Sequence, residues 1–271
     1  MRLVISKNPQ LWASLYIKDS IAKYKPTTDK KNFILGLPTG GTAENMYKYL
    51  VAMYKNKQIS FKSVVSFNMD EYINLPKEHP QSYWFFMHNN LFNHVDIQKE
   101  NINIPDGMHN NIKQFCIDYE EKIKALGGID LFIGGVGENG HIAFNEPYSS
   151  LSSKTRDKEL NQNTRLANAR FFNNDINAVP KSAITVGIDT LLKAKEVLII
   201  ITGEKKSLAL QQCMEGAVSH LWPISALQMH QRAIIVADHK ACMEIKVKTY
   251  EYFLTLADEY SGFEEQVKKI V

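Results

Sequence analysis

The sequence predicts an α/β fold: a three-layer, doubly wound and mostly parallel sheet with helices on both faces, Rossmann-like in plan. Three observations carry this expectation. Short apolar runs such as Phe33-Ile34-Leu35-Gly36-Leu37, Ile129-Asp130-Leu131-Phe132-Ile133 and Val197-Leu198-Ile199-Ile200-Ile201 read as strands buried on both faces. Segments with helical spacing of apolar residues alternate with them, the signature of parallel crossovers. Two of the strands run into glycine-rich turns, where open parallel sheets carry their ligands. No linker, internal repeat or low-complexity tract divides the 271 residues, so residues 1–271 are expected to form one domain.

Composition excludes several classes of protein. With 44% hydrophobic and 23% charged residues, 14 Gly and 9 Pro, the chain is near globular averages, unlike disordered, collagenous or coiled-coil sequences. The formal charge of +3 is spread along the chain, and the lysine patches from Lys23 to Lys31 and Lys55 to Lys62 are diluted by polar and apolar neighbours. That is not a nucleic-acid footprint. Cys116, Cys213 and Cys242 are few, odd in number and widely spaced, which fits free thiols in a reducing compartment. The N-terminal MRLVISKNPQ lacks the apolar core of a signal peptide, and Val197–Ile201 is far too short to span a bilayer, so a cytoplasmic location away from membranes is expected.

In chain order, Arg2 to Ile5 reads as a first strand and about Pro9 to Tyr24 as a helix with Leu11, Leu15, Ile21 and Ala22 on one face. The strand Phe33–Leu37 enters Pro38-Thr39-Gly40-Gly41-Thr42 and then a helix holding Met46, Tyr49, Leu50 and Met53. A strand, a Gly-Gly turn and a helix place free backbone N–H groups and the positive helix end around an anion, and a phosphate is the expected ligand. The hydroxyls of Thr39 and Thr42 can donate to it. The turn is neither a Walker A loop nor a dinucleotide fingerprint, and a plain tight turn is the alternative reading.

Val64 to Asn68 is a further strand with Asp70 just past its carboxyl end, facing the region to which the Thr39 turn points. Ser82 reads as an N-cap, and the aromatic run from Tyr83 to Phe92 as a helix buried over a wide face. Asn111 to Leu126 forms a helix leading to the strand Ile129–Ile133. That strand ends in a loop with four glycines in seven residues, Gly134, Gly135, Gly137 and Gly140, and this loop delivers His141 and, five residues on, Glu146. Such a loop is a place for proton chemistry, although a hydrogen-bonded structural histidine is the plainer reading.

Tyr148 to Asn177 is polar and is expected to be loops or a short insertion rather than a buried strand. A short helix near Thr190 to Ala194 precedes the strand Val197–Ile201. Thr202-Gly203-Glu204-Lys205-Lys206 opens a helix running through Met214, and lysines at a helix N-terminus are unfavourable by about 0.3–1 kcal/mol unless an anion sits there. Lys206 therefore reads as a second phosphate contact. Ala233 to Val236 is a last core strand, and Cys242 to about Val267 a terminal amphipathic helix.

Asp70, His141 and Glu146 with the Thr39–Thr42 cradle describe a site for a phosphorylated small molecule and proton transfer. The chain has no HExxH, Cys/His cluster or Asp-rich calcium loop, so neither a metal nor another cofactor is required by the sequence. Nucleophile elbows are absent as well.

The segments LGLPTGGT, FNMDEY, GGVG-x-x-GHIAFNEP, ANARFF with VPKSAITVG, and KVKT resemble the glucosamine-6-phosphate deaminases of the glucosamine/galactosamine-6-phosphate isomerase family, from Met1 to about Phe253. The resemblance implies aldose–ketose isomerisation with release of ammonia from glucosamine 6-phosphate, giving fructose 6-phosphate. It assigns proton shuttling between C2 and C1 to Asp70. It assigns ring opening to His141, with Glu146 orienting the imidazole and favouring its charged form. Gly40, Gly41, Thr42, Arg170 and Lys206 would hold the phosphate, with Thr39 and Gly137 also lining the substrate.

One position departs from the best-known bacterial pattern. Asn139 stands where that pattern has aspartate, and it can hold the imidazole by a hydrogen bond but cannot neutralise an imidazolium. The resemblance further implies a homohexamer and an allosteric site for N-acetylglucosamine 6-phosphate at Ser149, Ser150, Arg156, Lys158 and Tyr252. There Glu159 replaces a threonine, and a carboxylate beside a phosphate pocket would weaken binding.

Two rival readings share the fold. A 6-phosphogluconolactonase would have arginine in place of Tyr72 and lack the Asn-Glu-Pro after Phe144. A non-catalytic sugar-phosphate sensor of a transcription factor would need a DNA-reading module, for which a first strand at Arg2 leaves no room, and has no use for Asp70 with His141.

Overall fold

The computed structural model describes residues 1–256 and 261–270. The chain opens with β1 (Arg2–Ile5), α1 (Pro9–Lys23), β2 (Phe33–Leu37), α2 (Gly41–Lys55), β3 (Val64–Asn68) and β4 (Asp70–Tyr72). It continues through α3 (Tyr83–Asn90), β5 (Ile102–Asn103), α4 (Ile112–Ala125), β6 (Leu131–Gly135), β7 (Arg156–Glu159), α5 (Gln162–Ala169) and β8 (Ser182–Thr185). The last third holds α6 (Ile188–Leu192), β9 (Glu196–Ile201), α7 (Ser207–Met214), β10 (Ala233–Ala237), α8 (Val247–Thr255) and α9 (Ser261–Ile270).

Seven strands form one sheet in the order β1-β10-β9-β6-β2-β3-β5, and each pairing is parallel. Alternation along the strands builds two cores. In β9, Leu198 and Ile200 pack with Trp12, Leu15, Met46 and Leu50 of α1 and α2. Val197, Ile199 and Ile201 face the other way, toward Ile123 of α4, Leu191 of α6 and Leu210 of α7. The three-layer expectation holds because strands covered by helices on both sides need apolar residues at every position.

From β2 the chain moves outward through β3 and β5, then returns by α4 to β6 on the other side of β2. The switch point therefore lies between β2 and β6. Their diverging crossovers open the crevice in which such sheets bind ligands.

A second sheet, β4-β8-β7, is antiparallel and covers that end of the large sheet. Residues 148–177, expected to be loops or a short insertion rather than a buried strand, contribute the part-exposed strand β7 to it and continue into α5. β7 has the sequence RDKE and α5 the sequence QNTRLANA, both too polar to signal an element, because each packs on one side only. Two other expectations need revision, and one strand was not anticipated. α3 is not buried over a wide face: within Tyr83–Asn90 only Met87 is buried, and Phe85 is 37% exposed. β5 is too short to leave a sequence pattern. The terminal helix starts at Val247 and ends at Thr255, with a second helix at Ser261–Ile270; residues 257–260 of the expected single helix lie outside the described residues. Among the described residues no helix is long and apolar enough to cross a membrane.

Candidate active site

Four adjacent strands, β9, β6, β2 and β3, lead at the carboxyl edge of the sheet into the Lys206 turn, the His141 loop, the Thr39–Thr42 turn and Asp70. From β2, the turn reaches α2 through Gly40, whose φ of +94° only glycine adopts without strain. No side chain caps α2, and a Cβ built on Gly40 or Gly41 would meet nothing within 4 Å. The head of a 15-residue helix is thus left without a side-chain cap and with room beside its glycines, an arrangement suited to an anion.

Asp70 follows β3 and begins β4, where it pairs with Thr185 of β8. It is 7% exposed, and burial, followed by the neighbouring charge of Glu71, pushes its pKa up to about 8. Glu71 accepts hydrogen bonds from three backbone N–H groups, those of Tyr72, Tyr83 and Trp84. Burial nevertheless raises it to about 7. A carboxylate held near neutrality in this way is suited to taking and returning a proton.

The loop after β6 closes on itself through the Gly137 N–H, which donates to the carbonyl of His141 at 2.9 Å. The imidazole lies flat on Gly137, so close that a Cβ there would stand 2.1 Å from Cε1. Nδ1 of His141 is 2.6 Å from Oδ1 of Asn139, and the Asn139 amide donates to Oε2 of Glu146 at 2.8 Å. These contacts fix the tautomer. A carboxylate only accepts, so the NH₂ of Asn139 must face Glu146 and its oxygen must face the histidine. Nδ1 then carries the proton and the neutral ring offers Nε2 as the base.

Glu146, expected to orient His141 directly, is 3.7 Å from Nδ1, with Asn139 between them, and its other oxygen accepts from the Thr164 hydroxyl of α5. Burial lowers the pKa of His141 below 6.5; Glu146 acts to raise it and Lys206 to lower it. Asn139→Asp is expected to raise it, because a second carboxylate against Glu146 is relieved by an imidazolium. NMR titration of His141 with an unchanged midpoint in that variant would refute this.

Thr185 joins the two halves of the site. It pairs with Asp70, and its hydroxyl accepts the N–H of Phe144 at 3.1 Å. Asn145 donates to the carbonyl of Val186, the next residue, at 2.8 Å. Asp70 and the His141 loop are thereby anchored to one strand, on the same edge of the sheet. Lys206 stands at the head of α7, close enough to His141 and Glu138 to interact with both, and burial lowers its pKa.

Arg170 is not drawn in. It ends α5 exposed, with its guanidinium 4.7 Å from the ring of Phe171. Of the expected effector residues, Ser149 is buried with a hydroxyl lacking a partner, and Ser150 is exposed and bonded to Ser152. Arg156 and Lys158 share the more buried face of β7, while Glu159 alternates to the exposed one. Tyr252 stands 57% exposed on α8, with no described contact to that group.

The sequence reading missed Thr164, Thr185 and the tyrosine pair. Tyr72 and Tyr83, 5.0 Å apart, are both pushed up by burial, to about 12 for Tyr72, and Asn168 donates to the Tyr72 hydroxyl at 3.0 Å. A threonine or asparagine in a polar stretch carries no sequence signal of this kind. Among the described residues no group of three or more His, Cys, Asp or Glu could hold a metal ion.

The profile of the glucosamine-6-phosphate isomerases/6-phosphogluconolactonase family matches residues 13–236. The chain belongs to this family. The glucosamine-6-phosphate deaminase of Fusobacterium nucleatum subsp. nucleatum is 52% identical over 272 residues, covering 100% of this chain and 99% of the relative. That of Mannheimia succiniciproducens is 56% identical, covering 94% and 97%. Among solved structures, a monomeric glucosamine-6-phosphate deaminase superposes with a TM-score of 0.82 at 36% identity, covering 89% of this chain and 98% of the other. The 6-phosphogluconolactonase of Trypanosoma cruzi, with a TM-score of 0.69 at 15% identity and coverage of 90% and 97%, shares the fold.

Proposed function

We infer that this chain converts glucosamine 6-phosphate and water to fructose 6-phosphate and ammonia. The observation that supports the reading is that the adjacent parallel strands β9, β6, β2 and β3 lead into the Lys206 turn, the His141 loop, the uncapped head of α2 and Asp70, whose carboxyl is raised to about 8. The Gly40-Gly41-Thr42 turn and Lys206 hold the phosphate, with Thr39 beside them; Arg170 reaches it only by leaving Phe171. Nε2 of His141 takes the O1 proton and returns it to the ring oxygen, opening the sugar. Asp70 then removes the C2 proton and delivers it to C1, leaving a C2 imine that water hydrolyses to the ketone and ammonia. Glu146 and Asn139 keep the imidazole in its productive tautomer.

The test is to incubate the purified protein with glucosamine 6-phosphate and measure ammonia and fructose 6-phosphate. Failure to release ammonia, with hydrolysis of 6-phosphogluconolactone instead, would assign the chain to the other branch of its family.

A regulatory site for N-acetylglucosamine 6-phosphate is supported by the unpartnered Ser149 hydroxyl and the shared face of Arg156 and Lys158. Glu159 points away and does not oppose an anion there. Tyr252 would join only from a neighbouring subunit, so this reading goes with the homo-oligomer, hexameric by resemblance, and with the exposed Val247, Tyr252 and Leu254 of α8. Cooperative kinetics made hyperbolic by the acetylated sugar, and lost in Arg156→Ala, is the expected result; kinetics indifferent to it refutes the site.

A further inference from the structure

The buried carboxylate of Glu146 has no Lys or Arg within 4 Å among the described residues; only two neutral donors meet it. Asn139 holds Oε2, and the Thr164 hydroxyl holds Oε1. Thr164 is itself fixed: its N–H donates to the Asn161 cap of α5 at 2.8 Å. The helix is tied down further by Asn168 on Tyr72 and by Arg165, which donates to the carbonyl of Ile176 at 2.7 Å.

We propose that Thr164 is a positioning residue for His141, acting through Glu146: its hydroxyl retains one carboxylate oxygen so that the other stays on Asn139, keeping the imidazole neutral with Nε2 as the base. The inference rests on the deaminase reading for its catalytic meaning, but its geometry concerns the resting protein alone.

The charged groups facing His141 make the direction definite. Glu146 in its own loop favours the imidazolium, and Lys206 from the β9 turn opposes it, itself facing Glu138. Each donor on Glu146 spreads its charge and weakens its pull on the ring. Without the Thr164 hydroxyl, Oε1 is buried with no donor, a costly state. The nearest relief is the imidazole 3.7 Å from the other oxygen, which would gain a proton and pair directly with the carboxylate. His141 then loses its acceptor at Nε2.

The experiment is NMR titration of the His141 imidazole in the full chain and in Thr164→Val and Thr164→Ser, with kinetics in parallel. The valine variant removes the donor at nearly constant volume, and its His141 midpoint is expected to rise by about 0.5–1 unit. The acid limb of kcat should move up with it while KM stays close to wild type, and serine should restore both. A valine variant titrating like wild type, or a serine variant as altered as valine, overturns the proposal. If the midpoint moves as expected but wild type releases no ammonia, the positioning role stands and the deaminase reading falls.

Discussion

Asp70→Asn is expected to lower the rate of ammonia release by about 10²–10⁴ and to raise the melting temperature at neutral pH. The carboxyl is 7% exposed at the start of β4, and burial with Glu71 beside it lifts its pKa from the ordinary 3.8 to about 8. Between those two values the folded state binds more protons than the unfolded one, so wild-type stability falls as pH rises from 3.8 toward about 8. Asparagine has no such dependence. The gap in melting temperature should therefore widen across that window, and thermal melts at several pH values would show it. Since only the anion can take the C2 proton, wild-type kcat/KM should rise with pH up to about 8. A variant that retains turnover removes Asp70 from the role of base, and a melting gap that does not change with pH refutes its raised pKa.

Gly137→Ala is the second large effect. An added methyl would stand 2.1 Å from Cε1, 2.4 Å from Nδ1 and 2.5 Å from Nε2 of His141. The backbone of Gly137 is held by its bond to the His141 carbonyl, so the ring is what moves. Its displacement breaks the 2.6 Å contact with Asn139 and takes Nε2 away from the sugar. Turnover should fall by about 10²-fold or more, the loss expected when a general acid–base group is misplaced. Gly135→Ala is the control: a Cβ there meets nothing within 4 Å, and near wild-type turnover is expected. Equal activity in both variants would show that the imidazole position seen in this structure is not the working one.

The large sheet and the loops that bear Thr39–Thr42, Asp70 and His141 were legible in the sequence, because strands covered on both faces must be continuously apolar and a loop approached by a ring or an anion needs glycine. The small sheet was not. β8 pairs antiparallel with both β4 and β7, and neither polar RDKE nor short SAIT shows a periodicity that distinguishes a strand from a loop. The same blindness hid Thr164 and Thr185, whose importance lies in which group each hydroxyl meets, 18 residues away at Glu146 and 41 away at Phe144.

The sequence by itself determined the layer architecture, and it singled out the Thr39–Thr42 turn, Asp70, His141 and Glu146 as candidates, since each follows from local pattern: period, glycine placement and residue chemistry. Only the tertiary structure decided how the imidazole is held, with Asn139 interposed before Glu146 and α5 supplying the second donor. It also decided that Glu159 faces away from Arg156 and Lys158. Hydrogen bonds between distant segments depend on how those segments pack, and no local pattern encodes the partner of a hydroxyl or an amide.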